Sequence, residues 1–332
     1  MLSRTADHLY WMARYMERAE NTARMLDVNY QTSLLPQSAG MAEQGWRGLL
    51  SISELTAGFL QKQDSFDAAA IINFMVCDES NSSSIVSCLH AARENARAVR
   101  GALTTEVWET QNQTWLEFRR MLAGDSLKRD PSALFEWVKF RSHLSRGVTV
   151  GTMLQDEALH FLRIGTFLER ADNTARLLDV KFHTLRHEFH GTQVQSASSL
   201  RQAQHAVQEQ PEYDFYHWSA VLRSVSGFEV YRKVYRAVIR PEGVAELLIL
   251  RPDMPRSLAA CIGEVMGNLQ RVANDDSRDT LRRAGRLNAD LQYGRIDEIL
   301  ATGLHAYLTQ FLDRVSDLGY GISRDFLVPV AA

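Results

Sequence analysis

Cysteine is scarce in this chain. Cys77, Cys88 and Cys261 are the only three in 332 residues, without CxxC spacing. That excludes a disulfide framework or a cysteine zinc site and fits a reduced cytosol. Long apolar runs are missing, and the N-terminal MLSRTADHLYWMARYMERAE carries charges where a signal peptide needs an apolar segment. The expectation is a cytoplasmic protein with no membrane partner. Charge of one sign is lacking too: a net charge of -3, with Lys and Arg scattered, offers no basic field for nucleic acid or anionic lipid. A Gly-rich phosphate loop, GxSxG and HExxH are absent. No segment alternates convincingly at period two, which leaves an all-α fold.

What is present is a repeat. Glu17 to Val28, ERAENTARMLDV, returns at Glu169 to Val180 as ERADNTARLLDV, with ten of twelve positions identical. Glu20 becomes Asp172 and Met25 becomes Leu177, so charge and bulk are kept. Around the first copy, Leu9, Met12, Ala13, Met16, Ala19, Ala23, Leu26 and Tyr30 recur at helical spacing. This predicts a helix from Ser3 to about Leu35, capped by Ser3 or Thr5 and ended by Pro36. Small residues at its centre, Ala13 with Gly165, Ala19 with Ala171 and Ala23 with Ala175, allow another helix to approach closely.

The repeat runs further. A helix over Trp46 to Leu60 has its counterpart at Trp218 to Val230. An apolar helix at Phe66 to Cys77, the polar cluster of Asp78 to Ser84 and a helix from Ser84 to about Glu109 match the order at Val244 to Leu258 and beyond. Ser84 aligns with Ser257, Cys88 with Cys261 and Asn95 with Asn268. The fold expected is therefore a helical bundle of two pseudo-symmetric halves, 1–125 and 152–332. A connection over 126–151 carries a short helix near Ala133 to Phe140. Gly191 to Pro211, polar and without apolar period, reads as a loop, and Leu281 to about Leu318 returns to helical spacing.

Residues three and four apart share a helix face, so Glu17, Asn21 and Arg24 form one polar stripe and Glu169, Asn173 and Arg176 its copy. Arg18 and Arg170 flank them, and Arg14 extends the first stripe where the copy has Thr166. A solvated face would drift after duplication. Two explanations stand: the helices pack about a pseudo-twofold axis through Glu to Arg pairs bridged by Asn, or the stripes line a cleft. In a cleft, arginines would hold carboxylate or phosphate and glutamates an amine. Arg93, Arg97 and Arg100 share another face and form a secondary anion-site candidate against a solvated-face reading.

Metal signals are weak. Glu157 to His160 is the only Glu-x-x-His pair and its counterpart is Thr5 to His8, so half of a di-iron bundle site is missing. His183, His187 and His190 share a face, but solvated histidines near a helix end explain them. No metal or other cofactor is expected.

Together, LSRTADHLYWMARYMERAENTARMLDV, NSSSIVSCLHAARENARAVR, EVWE at Glu106 to Glu109, ERADNTARLLDV and VSGFEVYRKVYR resemble the bacterial alpha-E domain family, a helical domain of unknown function. The likeness covers nearly the whole chain, departing locally at Arg251 to Asp253, before Pro255 to Ser257. The family's characteristic glutamate falls on Glu17 and Glu169, and no established catalytic residues come with it. The resemblance implies a setting beside a circularly permuted ATP-grasp protein, often with a transglutaminase-like protein nearby, and hence peptide or amide ligation. The preferred reading is a non-catalytic accessory or substrate-binding partner of such a ligase. The alternatives are an amide-transfer or hydrolytic enzyme using Glu17 or Glu169 as general base, and a structural or homo-oligomerisation module.

Overall fold

A computed structural model describes residues 1–36, 38–194 and 211–327, without the side chains of 39, 181–194 and 211–214. All regular structure among them is helical. The elements are α1 (Ser3–Ser33), α2 (Ala39–Ile52), α3 (Thr56–Leu60), α4 (Ala68–Val76), α5 (Ile85–Ala98), α6 (Thr105–Ala123), α7 (Ser126–Arg129) and α8 (Pro131–Thr152). They continue with α9 (Glu157–Val194), α10 (Pro211–Ser224), α11 (Phe228–Tyr235), α12 (Pro241–Ile249), α13 (Leu258–Arg271), α14 (Arg278–Tyr293), α15 (Ile296–Thr302) and α16 (Leu304–Phe326).

The two repeated helices, α1 and α9, pack on each other more extensively than any other pair. Small residues are the reason. A Cβ on Gly165 would stand 2.3 Å from the Tyr10 carbonyl oxygen and 3.3 Å from the Ala13 Cβ, so only glycine permits this approach. Ala19, Ala23, Ala171 and Ala175 are fully enclosed along the same seam. Around it, α1 packs on α5 and α8, and α9 on α13 and α16. His8 meets Asn95 Oδ1 at 2.8 Å on one side, and His160 meets Asn268 Oδ1 at 2.8 Å on the other. Ser84 and Ser257 cap α5 and α13 as expected, accepting from Ser87 N and Ala260 N.

Several element boundaries differ from expectation. Neither Ser3 nor Thr5 caps α1; the Leu2 carbonyl takes the N–H groups of Thr5 and Ala6. The helix expected at Trp46 to Leu60 starts earlier, capped by Ser38, and breaks at Glu54 with φ 56°. The one expected at Trp218 to Val230 breaks at Ser226 with φ 53°. Both ends are closed by a 6→1 bond, Leu55 N to Leu50 O (2.9 Å) and Gly227 N to Leu222 O (2.7 Å). No glycine marks the left-handed residue, so the stop is invisible to a search for glycine.

The helix after Ser84 does not reach Glu109. It ends at Ala98, and Thr104 caps a separate helix by accepting from Val107 N. The 126–151 connection is not a linker with a short helix. Asp130 caps α8 through Ala133 N (3.0 Å), Pro131 sits in its first turn, and the resulting helix buries Leu134, Phe135 and Val138 in the core. The stretch 281–318 holds parts of three helices, interrupted at Gly294 and at Gly303, whose φ is 100°. Of the loop expected at Gly191 to Pro211, residues 195–210 lie outside the described residues; Gly191 to Val194 continue α9.

Candidate functional site

The two stripes face each other across the α1–α9 seam, and each glutamate takes the arginine that follows the other. Arg170 grips Glu17 in a fork, Nε to Oε1 and Nη2 to Oε2, both 2.9 Å. Arg18 grips Glu169 likewise, at 2.6 and 3.1 Å. A second exchange lies one turn on. Arg24 pairs with Glu20 and reaches Ser226 Oγ (2.6 Å), while Arg176 pairs with Asp172 and reaches Glu54. Glu54 and Ser226 are the left-handed residues after α2 and α10, so those breaks position the partners of Arg176 and Arg24.

On the Glu17 side the ion network is closed, and the cavity that borders Glu17 and Arg146 there is small, about 110 Å³. Arg256, in the turn before α13, donates to Glu17 Oε1 (3.0 Å), Asn21 Oδ1 (2.8 Å) and Glu20 Oε1 (2.5 Å). Arg146 of α8 reaches Glu17 (3.0 Å) and Glu20 (2.5 Å), and Ser142 donates to Glu20 (2.7 Å). Glu17 and Glu20 are fully buried. Burial opposes their ionisation, but Arg170 and Arg256 for Glu17, and Arg256, Arg146 and Arg24 for Glu20, hold both below the ordinary carboxylate range. Here Glu17 of α1 pairs with Arg170 of α9, and Asn21 bridges to Arg256 and not to the copy helix.

On the Glu169 side the network is open. Arg14 (2.7 Å) and Arg18 (2.6 Å) neutralise Glu169, whose pKa they bring to about 2 against the upward push of burial. Beside it lies a cavity of about 510 Å³ bordered by Glu169, Asp172, Asn173, Arg176, Arg14 and Arg18. Ser83, Gly319, Val315 and Asn21 also border it. Asn21 is 3% exposed, and its Nδ2 has no hydrogen-bond partner among the described residues. Arg256 can only donate, so it fixes the amide oxygen of Asn21 on its own side and leaves the amide nitrogen unsatisfied.

The sequence register explains the difference. Counted from the aligned pair Ser84 and Ser257, Ser83 stands where Arg256 stands. Carried on to α8 and α16, the same offset sets Gly319 against Arg146 and Val315 against Ser142. All three side chains that close the Glu17 side are therefore short or apolar on the Glu169 side, and all three replacements border the cavity.

Of the expected site residues, Glu17, Arg18, Asn21, Arg24, Glu169, Arg170, Asn173 and Arg176 all lie on the α1–α9 seam. Arg14, which extends the first stripe, lies there too, and Glu20, Asp172, Arg146 and Arg256 belong with them without having been expected as site residues. Glu20 and Asp172 had a signal, since each precedes an arginine by four positions. Arg146 and Arg256 had none, because they arrive from other elements. Arg93, Arg97 and Arg100 have separate partners: Arg93 bonds Asn112 and Glu94, Arg97 pairs with Glu94, and Arg100 lies over the Trp108 ring. The side chains of His183, His187 and His190 lie outside the described residues.

Among the described residues no helix is long and apolar enough to cross a membrane. No solved structure matches the chain. Curated relatives include uncharacterised proteins of Mycobacterium bovis and Mycobacterium tuberculosis, each 24% identical over 337 residues. The match takes in 93% of this chain but only 35% of theirs, so the chain spans about a third of the length of these relatives. A family described as a predicted alpha-helical domain with a conserved ER motif matches residues 1–327, and this chain carries that dipeptide at Glu17-Arg18 and Glu169-Arg170. The chain belongs to the Alpha-E family.

Proposed function

We propose that this chain is a non-catalytic, substrate-binding partner of an ATP-grasp-type peptide or amide ligase, built from two duplicated halves that have diverged in role. The Glu17 copy holds the bundle together. The Glu169 copy presents a cavity for a small polar ligand that offers an acceptor to Asn21 Nδ2. The observation that carries this reading is the cavity of about 510 Å³ beside one stripe, bordered by an unsatisfied buried amide, against a closed network beside the other. The ligase as partner rests on the family resemblance.

Catalysis by the glutamates is the weaker alternative. A general base works best with a pKa near the operating pH, and Glu169 is held at about 2 by Arg14 and Arg18. Glu17 is held by Arg170, Arg256 and Arg146, which keep its carboxylate ionised and below the ordinary range, and the cavity it borders is small, about 110 Å³. The test is isothermal titration of the chain against the ATP-grasp-type ligase proposed as its partner. Wild type and Glu169→Gln are compared after circular dichroism shows both folded. Binding by wild type and a weakening in the variant support the reading; no binding by folded wild type contradicts the partnership.

A further inference from the structure

Arg256 shows what completes this kind of site. Its guanidinium donates through Nη1 to Glu17 Oε1 and Asn21 Oδ1, and through Nη2 to Glu20 Oε1. The corresponding acceptors on α9 are Glu169, Asn173 and Asp172, and all three border the cavity. There, Glu169 Oε1 accepts from Arg18 Nε, where Glu17 Oε1 accepts from both Arg170 Nε and Arg256. Asn173 Oδ1 receives no donor among the described residues, its amide nitrogen lying 3.9 Å from Met25 Sδ. Asp172 is one methylene shorter than Glu20, and Ser83 is too short to carry a cation to these acceptors.

The charges agree. Glu17 and Glu20 face four guanidinium groups, those of Arg24, Arg146, Arg170 and Arg256. Glu169, Asp172 and Glu54 face three, those of Arg14, Arg18 and Arg176. The open site therefore takes a further cation and still has fewer cations per carboxylate than the closed one.

Resting on the ligand-binding reading above, we propose that the cavity receives the guanidinium group of an arginine or arginine-like ligand. It sits among Glu169, Asp172 and Asn173 as Arg256 sits among Glu17, Glu20 and Asn21. A carboxylate or carbonyl oxygen of the same ligand satisfies Asn21 Nδ2. The planar fork matters, because one guanidinium reaches two carboxylates and an amide oxygen at once, which a compact ammonium does not.

The experiment is isothermal titration of the whole chain with L-arginine, L-citrulline, agmatine and glutarate. L-Arginine is expected to bind. Citrulline, with the same shape but no charge, should bind at least about tenfold more weakly, the worth of one charge-assisted hydrogen bond. Agmatine, lacking the oxygen for Asn21, should fall between them. Ser83→Arg should abolish L-arginine binding and raise the Tm by placing an internal guanidinium in the cavity. Gly319→Arg enters from α16 in register with Arg146 and gives the same readout if Ser83→Arg does not fold. Equal binding of arginine and citrulline, or binding of glutarate alone, overturns the guanidinium assignment and leaves a ligand cavity standing. No binding by any of the four overturns this proposal, while the ligase partnership is decided by its own titration.

Discussion

One twelve-residue stretch occurs twice in this chain and ends in two different surroundings. At Glu17 three arginines, from α8, α9 and the turn before α13, converge on one carboxylate. At Glu169 two arginines, both from α1, do the holding, and the space that α16 and the turn before α5 leave is open. The stripes themselves are nearly identical in sequence. What separates a packed ion network from a cavity is therefore the identity of residues outside the stripes: Arg256 against Ser83, Arg146 against Gly319, Ser142 against Val315.

The largest way to break this contrast is to unlock the closed side. Arg256→Ala removes a buried guanidinium shared by Glu17, Glu20 and Asn21 and leaves uncompensated charge. Urea denaturation should show a loss of about 3 to 5 kcal/mol, or failure to fold. Ser83→Ala, at the position aligned with it in sequence, should stay within about 0.5 kcal/mol of wild type. Equal effects would remove the distinction between the two sites.

Next comes the seam that both stripes share. Gly165→Ala drives a methyl group into the Tyr10 carbonyl and should cost about 1 to 3 kcal/mol by overpacking. Gly147→Ala, on an exposed stretch of α8 with open space around it, should instead stabilise by about 0.5 to 1 kcal/mol through helix propensity.

A further reading of the contrast comes from pH. Glu17, Glu20 and Glu169 have folded pKa values below their ordinary 4.5, so the stability they contribute is fully present above 4.5. It is lost as pH falls toward each folded value, about 2 for Glu169. Denaturation midpoints should be level across pH 5 to 6 and decline below about 4.5. Glu169→Gln, which cannot titrate, should flatten part of that decline.

The sequence made the helices and the seam legible for physical reasons. Helical periodicity reports burial, and Gly165 opposite Ala13 reports a close approach of two backbones. The repeated polar stripes were legible as constrained positions, and the reason for the constraint was not. Arg256 and Arg146 lie far from Glu17 along the chain, and nothing local to either tells that it ends on that carboxylate. The stops after α2 and α10 escaped for a related reason, since Glu54 and Ser226 adopt a left-handed conformation that a glycine would have advertised. Asn21 was placed on the right stripe and assigned the wrong bridge, because its oxygen faces a loop residue and not the copy helix.

The most direct measurement compares two matched protons. Arg170 Nε and Arg18 Nε each donate to the glutamate of the other copy, at 2.9 and 2.6 Å, but the Arg170 side chain is 8% exposed and that of Arg18 26%. Side-chain hydrogen exchange followed by 15N NMR should show Arg170 Hε exchanging at least about tenfold more slowly than Arg18 Hε, since exchange tracks local opening. Added L-arginine should slow Arg18 and leave Arg170 unchanged. Equal rates at the two sites, unaffected by ligand, would contradict a closed site facing an open one.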